Sequence, residues 1–327
     1  MPHAELTSPT SPAEASTPRV GTTSAWKRFW FEPTAATNLG FCRLLFFGLM
    51  FLYAVPLDDR GWHSIPASFW NPMYVFARFH LPVLNDGAMF VAQSVWKISL
   101  LLACVGLFSR ISAGIAFVLS LYLIGVTYNN GKVEDMTAIA ILSEGILALS
   151  LCGDAFSLDN LIFRRHQAPR PLSGEYRWPI RMIWTLMATV FFCAGFAKLR
   201  HSGLHWASPR QFGALLISRY YDPSPPPTHL GLFIAARPWL SIPMAAGSMM
   251  LEVGAPLALF SRHARWFIPA MLFGMQIGIG IIMSIWFTTF LFVYLFWVPW
   301  DELLNRLHVI PAVSADPENS PHRHGGH

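Results

Sequence analysis

Apolar residues fall in long unbroken runs, with the polar positions gathered between the runs rather than alternating within them. A helix needs about 20 apolar residues to cross the hydrocarbon core of a bilayer. Runs close to that length cover about 36–56, 88–108, 111–128, 136–152, 178–199 and 238–260. The stretch from Trp266 to Trp300 is longer. As one helix it would extend about 52 Å at about 1.5 Å per residue, well beyond the core. A break near Ser284 and Trp286 divides it into two spans. The pattern predicts an all-α, polytopic integral membrane helical bundle of about eight transmembrane helices.

Composition agrees with the pattern. Hydrophobic residues make up 54% of the 327 and charged residues 13%, and the mean hydropathy is +0.42. A soluble domain carries about 25% charged residues. The formal net charge of +5 does not point to nucleic acid. Most Lys and Arg lie in short loops beside apolar spans, where the positive-inside rule accounts for them, and no basic stripe is interleaved with aromatics. With both termini cytoplasmic, the inside loops hold Arg110, then Arg164, Arg165, Arg170 and Arg177, then Arg262 and Arg265, then Arg306. This parity predicts a multi-pass protein of the cell membrane. One loop breaks it: residues 199–237 put Arg200, Arg210, Arg219 and Arg237 on the outer side.

Residues 1–24 are rich in Ala, Ser, Thr and Pro and read as a disordered tail without a cleaved signal peptide. The membrane domain covers 25–308, with Trp26, Lys27, Arg28 and Trp30 as its interfacial anchor. Residues 309–327 read as a second disordered tail, His-rich but without a scaffold to hold a metal. Cys42, Cys104, Cys152 and Cys193 form no CxxC pair and read as packing residues. No metal site is expected. Two outer segments, 61–80 and 204–221, carry aromatic or amphipathic patterns suited to helices lying in the interface. Pro209 opens the second of these, and the DPSPPPT stretch at 222–228 should be extended.

Ionisable residues inside membrane helices are costly and are site candidates by default. Arg43 and Lys97 lie about a turn or more inside their spans, where snorkelling competes with function. Glu144 falls near the middle of the fourth span, and a structural ion pair with Lys97 is the alternative to a functional role. Glu252 precedes Pro256 in SMMLEVGAPLAL. Pro256 has no N–H, which should kink the helix and free the Glu252 carbonyl beside the carboxylate.

Lys198 closes the run FFCAGFAKLRHSGLHW. Snorkelling is the ordinary reading of an amine at a helix end. Ala194 and Gly195, one turn earlier, leave room on the same side for a helix or a ligand. An amine held in low dielectric can act as a base near neutral pH.

AGFAKL followed by Trp206 resembles the AGxxKL…W stretch of the vitamin K-dependent γ-carboxylase and of the bacterial HTTM-like (horizontally transferred transmembrane) domain proteins. FCRLLFFGLMF, GDAFSLDNL, LEVGAPLAL and FWVPWDEL follow in similar order, so the resemblance covers about 25–308. It implies that Lys198 matches the carboxylase's base for hydroquinone chemistry. Two departures stand out. Asp135 or Met136 occupies the place of an assisting His near the start of the fourth span, and Gln276 the place of another His in the seventh. The large lumenal domain that grips a peptide substrate has no counterpart, which argues against full γ-glutamyl carboxylation.

The resulting expectation is a membrane protein of HTTM-like type with Lys198 and Glu252 as the catalytic residues, Lys198 as the general base and Glu252 as its partner or proton acceptor. Arg43, Glu144, Gly195 and Trp206 are expected to contribute to binding. The cofactor or substrate would be a quinone or hydroquinone, or another lipid-soluble small molecule, closed in by the 61–80 and 204–221 segments. The rival reading is a non-enzymatic helper or immunity-type protein that binds a protein partner, and the sequence leaves enzyme against binding protein open.

Overall fold

A computed structural model of the chain describes residues 24–129, 136–163, 171–222 and 228–307. The expectations for both tails, for Asp135, for Arg164, Arg165 and Arg170, and for 223–227 lie outside the described residues. Among the described residues the fold is all-helical, with one isolated antiparallel bridge between Thr34 and Ser173. In chain order the helices are α1 (Ala25–Phe31), α2 (Ala36–Ala54), α3 (Tyr74–Phe79), α4 (Asp86–Val105), α5 (Ser109–Thr127), α6 (Ala138–Leu149), α7 (Leu158–Phe163) and α8 (Trp178–Ser202). They continue as α9 (Pro209–Tyr220), α10 (Leu230–Ala235), α11 (Pro238–Val253), α12 (Leu257–Phe260), α13 (Arg262–Met283), α14 (Thr288–Val293) and α15 (Trp300–Arg306).

Among the described residues, five segments are long and apolar enough to cross a membrane: α2, α4, α5, α13 and the segment 174–207 that contains α8. The other three expected spans differ. The 136–152 stretch yields the 12-residue α6, and the last apolar stretch yields α14 continued by a 3-10 turn to Trp297. The 238–260 stretch is divided into α11 and α12. The break within 266–300 falls where the sequence places it. α13 ends at Met283, and Ser284 caps it in the left-handed conformation at φ 56°.

The bundle is built from sequential neighbours. α2 packs on α4, α4 on α5 and α5 on α6; α8 pairs with α11, while α6 and α14 link the two groups. Phe46, Phe47, Trp96 and Phe296 are fully buried at its centre. Large apolar side chains also face outward, among them Ile98, Val118, Trp266 and Phe267. That distribution suits a surface in contact with lipid rather than water.

Helix ends follow local chemistry. Asn85 caps α4 by accepting from the Ala88 N–H at 2.9 Å, and Asp159 accepts from Phe108 and Ser109 at the start of α5. Ser208 caps α9 with Pro209 in its first turn, as the pattern predicts. Lys97 does not meet Glu144. Its amine donates to the carbonyls of Val55 at 3.1 Å and Leu57 at 2.9 Å, placing a cation on the C-terminus of α2.

Candidate functional site

Lys198 lies in the last turns of α8 and Glu252 in the last turn of α11. The Lys198 amine donates to both carboxylate oxygens of Glu252, at 2.5 and 2.7 Å. Gly195 brings the two helices together. A Cβ at 195 would stand 2.8 Å from the Glu252 Cβ and 2.9 Å from the Val253 backbone nitrogen. α8 and α11 thus touch backbone to backbone one turn before the ion pair. Trp206, in the 3-10 turn that follows α8, puts its ring centre 5.2 Å from the Lys198 amine. A cation over an indole face is attracted by the ring quadrupole.

The kink after Glu252 is present, with one correction. α11 stops at Val253 and α12 begins at Leu257, as Pro256 requires. The Glu252 carbonyl is not free: it accepts from the Ala255 N–H at 3.2 Å, the i+3 bond of a 3-10 turn. The carboxylate, therefore, is the acceptor that this locality offers.

The pair opens on a cavity of about 660 Å³. α8 contributes Phe191 and Ala194, α13 contributes Gln276 and Ile279, and Trp286, Phe287 and Phe290 close the far side. After the Ser284 turn the chain folds back. A Cβ at Gly280 would lie 2.7 Å from the Trp286 ring, so only glycine lets that ring lie flat on α13. At the rim, Arg219 at the end of α9 pairs with Asp222 at 3.3 Å.

Gln276 is 3% exposed, and its Oε1 has no hydrogen-bond partner although it lines this cavity. An unmet buried acceptor costs about 1–3 kcal/mol. The sequence marks Gln276 only as a departure from a His, and its weight as a ligand-facing amide emerges from the fold.

The other expected site residues lie elsewhere. Arg43 is fully buried and does not snorkel. Its Nη2 donates to the Phe156 carbonyl at 2.5 Å, and its guanidinium lies against Gly106 at the end of α4. Glu144 is fully buried in α6, where its polar neighbour is the Ser120 hydroxyl. Neither residue lines the cavity. The 61–80 segment does not close it either. It packs on the end of α5, where Asn129 accepts from the N–H groups of Asn71 and Met73 at 2.7 Å each. The 204–221 segment does reach the cavity, through Arg219.

Arg181, one turn inside α8, is an intramembrane cation that the sequence reading passes over. It is 3% exposed, with its Nε and Nη1 unpartnered. WPIRM at the head of a long apolar run is the signal that marks it. No protein-family model, curated protein or solved structure matches the chain.

Proposed function

We propose that the chain is an HTTM-like protein of the cell membrane that crosses the bilayer eight times with both termini cytoplasmic. On this reading it binds a lipid-soluble ring compound of the quinone or hydroquinone class and moves a proton at Lys198 on the outer side. The observation that carries the reading is the two-point ion pair of Lys198 and Glu252 on the wall of a cavity shared by the aromatic side chains Phe191, Trp286, Phe287 and Phe290 and the polar side chains Gln276 and Ser284, with Arg219 and Asp222 at its rim. The flat walls at Phe191, Phe287 and Phe290 suit a ring, and the Gln276 amide suits a ring oxygen. The residues present therefore fit a quinone-type substrate. Such a molecule brings an acidic hydroxyl in its reduced form.

The pair works as a unit. The Lys198 ammonium can pass one proton to the Glu252 carboxylate that it touches. The freed amine then accepts the hydroxyl proton, and the net change is one proton gained by the pair. Trp206 shields the amine and keeps it in place. Full γ-glutamyl carboxylation is not part of the reading.

The test is mass spectrometry of lipids retained after gentle detergent purification of the wild type and of Gln276→Leu. Near-stoichiometric ring lipid in the wild type, lost at least tenfold in the variant, supports the reading. Ring lipid at the background level of the membrane extract, together with a stoichiometric co-purifying protein, favours partner binding instead.

A further inference from the structure

A second polar cluster stands at the opposite end of α8. Arg181 and Lys198 are 17 positions apart on this helix, which is about 25 Å at about 1.5 Å per residue. Three guanidinium groups converge there: Arg177 before α8, Arg181 within it and Arg265 in the first turn of α13. The Trp184 ring gathers two of them, with the Arg181 Cζ 4.3 Å and the Arg265 Cζ 5.1 Å from its centre. Trp184 is itself fixed by stacking on Trp297 at 4.5 Å and by donating to the Phe296 carbonyl at 2.7 Å. From α1, Phe29 covers Arg181 at 4.8 Å, and Glu32 accepts from Arg177 at 2.7 Å.

The charges do not balance. Among the described residues, Glu32 is the carboxylate in salt-bridge contact with this cluster, and Asp301, the next acid toward Arg177, is held by the Thr37 hydroxyl. The buried Nε atoms of Arg177, Arg181 and Arg265 and the Nη1 of Arg181 have no partner. The Nη2 of Arg177 is taken by Glu32 and that of Arg265 by the Leu259 carbonyl at 3.2 Å, and the remaining unmet N–H groups can donate to the oxygens of a phosphate.

A groove of about 410 Å³ starts at Arg265. Pro269, Ala270 and Phe273 line it at helical spacing along α13, and Leu291 and Leu295 form the opposite wall. The Tyr294 hydroxyl on that wall also has no partner. Trp266, which also lines the groove, and its neighbour Phe267 are exposed, as residues anchored at a membrane interface are.

We propose that the Arg177–Arg181–Arg265 cluster binds the phosphate headgroup of an anionic phospholipid, one acyl chain of which occupies the groove along α13. Basic pockets between membrane helices, open to the bilayer surface, recognise anionic headgroups in this way. The unmet N–H groups specify phosphate chemistry. The groove specifies lipid over free phosphate. This site is independent of the Lys198 cavity and stands whether or not that cavity binds a ring compound.

The test is thermal unfolding of the full-length protein in nanodiscs of phosphatidylcholine with and without phosphatidylglycerol, and in detergent titrated with short-chain phosphatidylglycerol or inorganic phosphate. Phosphatidylglycerol should raise the unfolding temperature and inorganic phosphate should not. Arg265→Gln, at a half-buried position, should weaken phosphatidylglycerol binding at least tenfold. Ala270→Trp should do the same by filling the groove. Arg181→Gln should act like Arg265→Gln where it folds, and the Arg265 variant decides where it does not. Equal stabilisation by the two phospholipids, unchanged affinity in Arg265→Gln, or an equal response to inorganic phosphate overturns the proposal.

Discussion

Gly195 seats directly against Glu252: no side chain larger than hydrogen fits between α8 and the Glu252 Cβ. The glycine fixes the separation at which the Lys198 amine reaches both carboxylate oxygens. Gly195→Ala should gain about 0.5–1 kcal/mol of helix propensity. It should lose about 1–3 kcal/mol to overpacking, because one of the blocked atoms is the Val253 backbone nitrogen and cannot swing aside. The expected outcome is a lower unfolding temperature in detergent and lower retention of any ligand in the adjoining cavity.

The ion pair sets how its variants must be read. Glu252 is 5% exposed on its side chain and Lys198 is 26% exposed. Lys198→Met leaves a carboxylate buried without its cation, which costs about 3–5 kcal/mol. Activity lost in that variant alone would not separate chemistry from unfolding. Glu252→Gln should be milder, since the Lys198 side chain is less deeply buried than the carboxylate. The double variant Lys198→Met/Glu252→Gln should be more stable than Lys198→Met by at least about 1 kcal/mol. Denaturation of all four proteins measures this coupling.

Much of this arrangement was legible in the sequence, and the failures have physical causes. α2, α4, α5, α8 and α13 follow from run length, because a long apolar run has one cheap conformation in lipid. The Ser284 break follows from a run too long for one crossing. The sequence marks Lys198 and Glu252 as costly charges and reads Glu252 as the partner or proton acceptor of Lys198, and the structure brings the two into contact. Periodicity does not report which faces of distant helices meet, and so it leaves an ion pair of Lys97 with Glu144 open as the alternative to a functional Glu144, whereas Lys97 caps α2. The same limit hid the Arg181 cluster, whose members come from two helices and the loop before one of them. Gln276 needed the cavity to be seen, since an amide in a span reads as neutral until its surroundings are known.

Asp59 gives a pH test away from the membrane spans. It follows α2 and accepts from the Gln93 amide at 2.9 Å. Burial pushes its carboxyl above the usual range, and Asp58 adds to this, while the Gln93 hydrogen bond and Lys97 oppose it. A folded-state pKa above the unfolded value means that the native state holds the proton more tightly. The group therefore favours folding most when protonated, and that contribution is lost as pH rises through the folded pKa. Asp59→Asn removes the dependence and keeps the acceptor for Gln93. Its unfolding temperature should exceed that of the wild type at pH 7, and the gap should close as pH falls toward 4.

Glu144 separates a charge in use from a shape in use. It is fully buried, neither of its carboxylate oxygens has a hydrogen-bond partner among the described residues, and Ser120 beside it already accepts from the Trp96 indole at 2.7 Å. A buried ionised carboxylate without a cation is strongly disfavoured. Gln has the same outline and brings no charge into the core. Glu144→Gln should therefore have a stability within about 1 kcal/mol of the wild type or above it, since Gln never brings a charge into the core. Glu144→Ala keeps the core uncharged but leaves a void between α5 and α6, and should cost about 2–3 kcal/mol. If Gln destabilises as much as Ala, the negative charge itself is needed in the folded bundle, and a cation must reach Glu144 from a part of the protein that these contacts do not include.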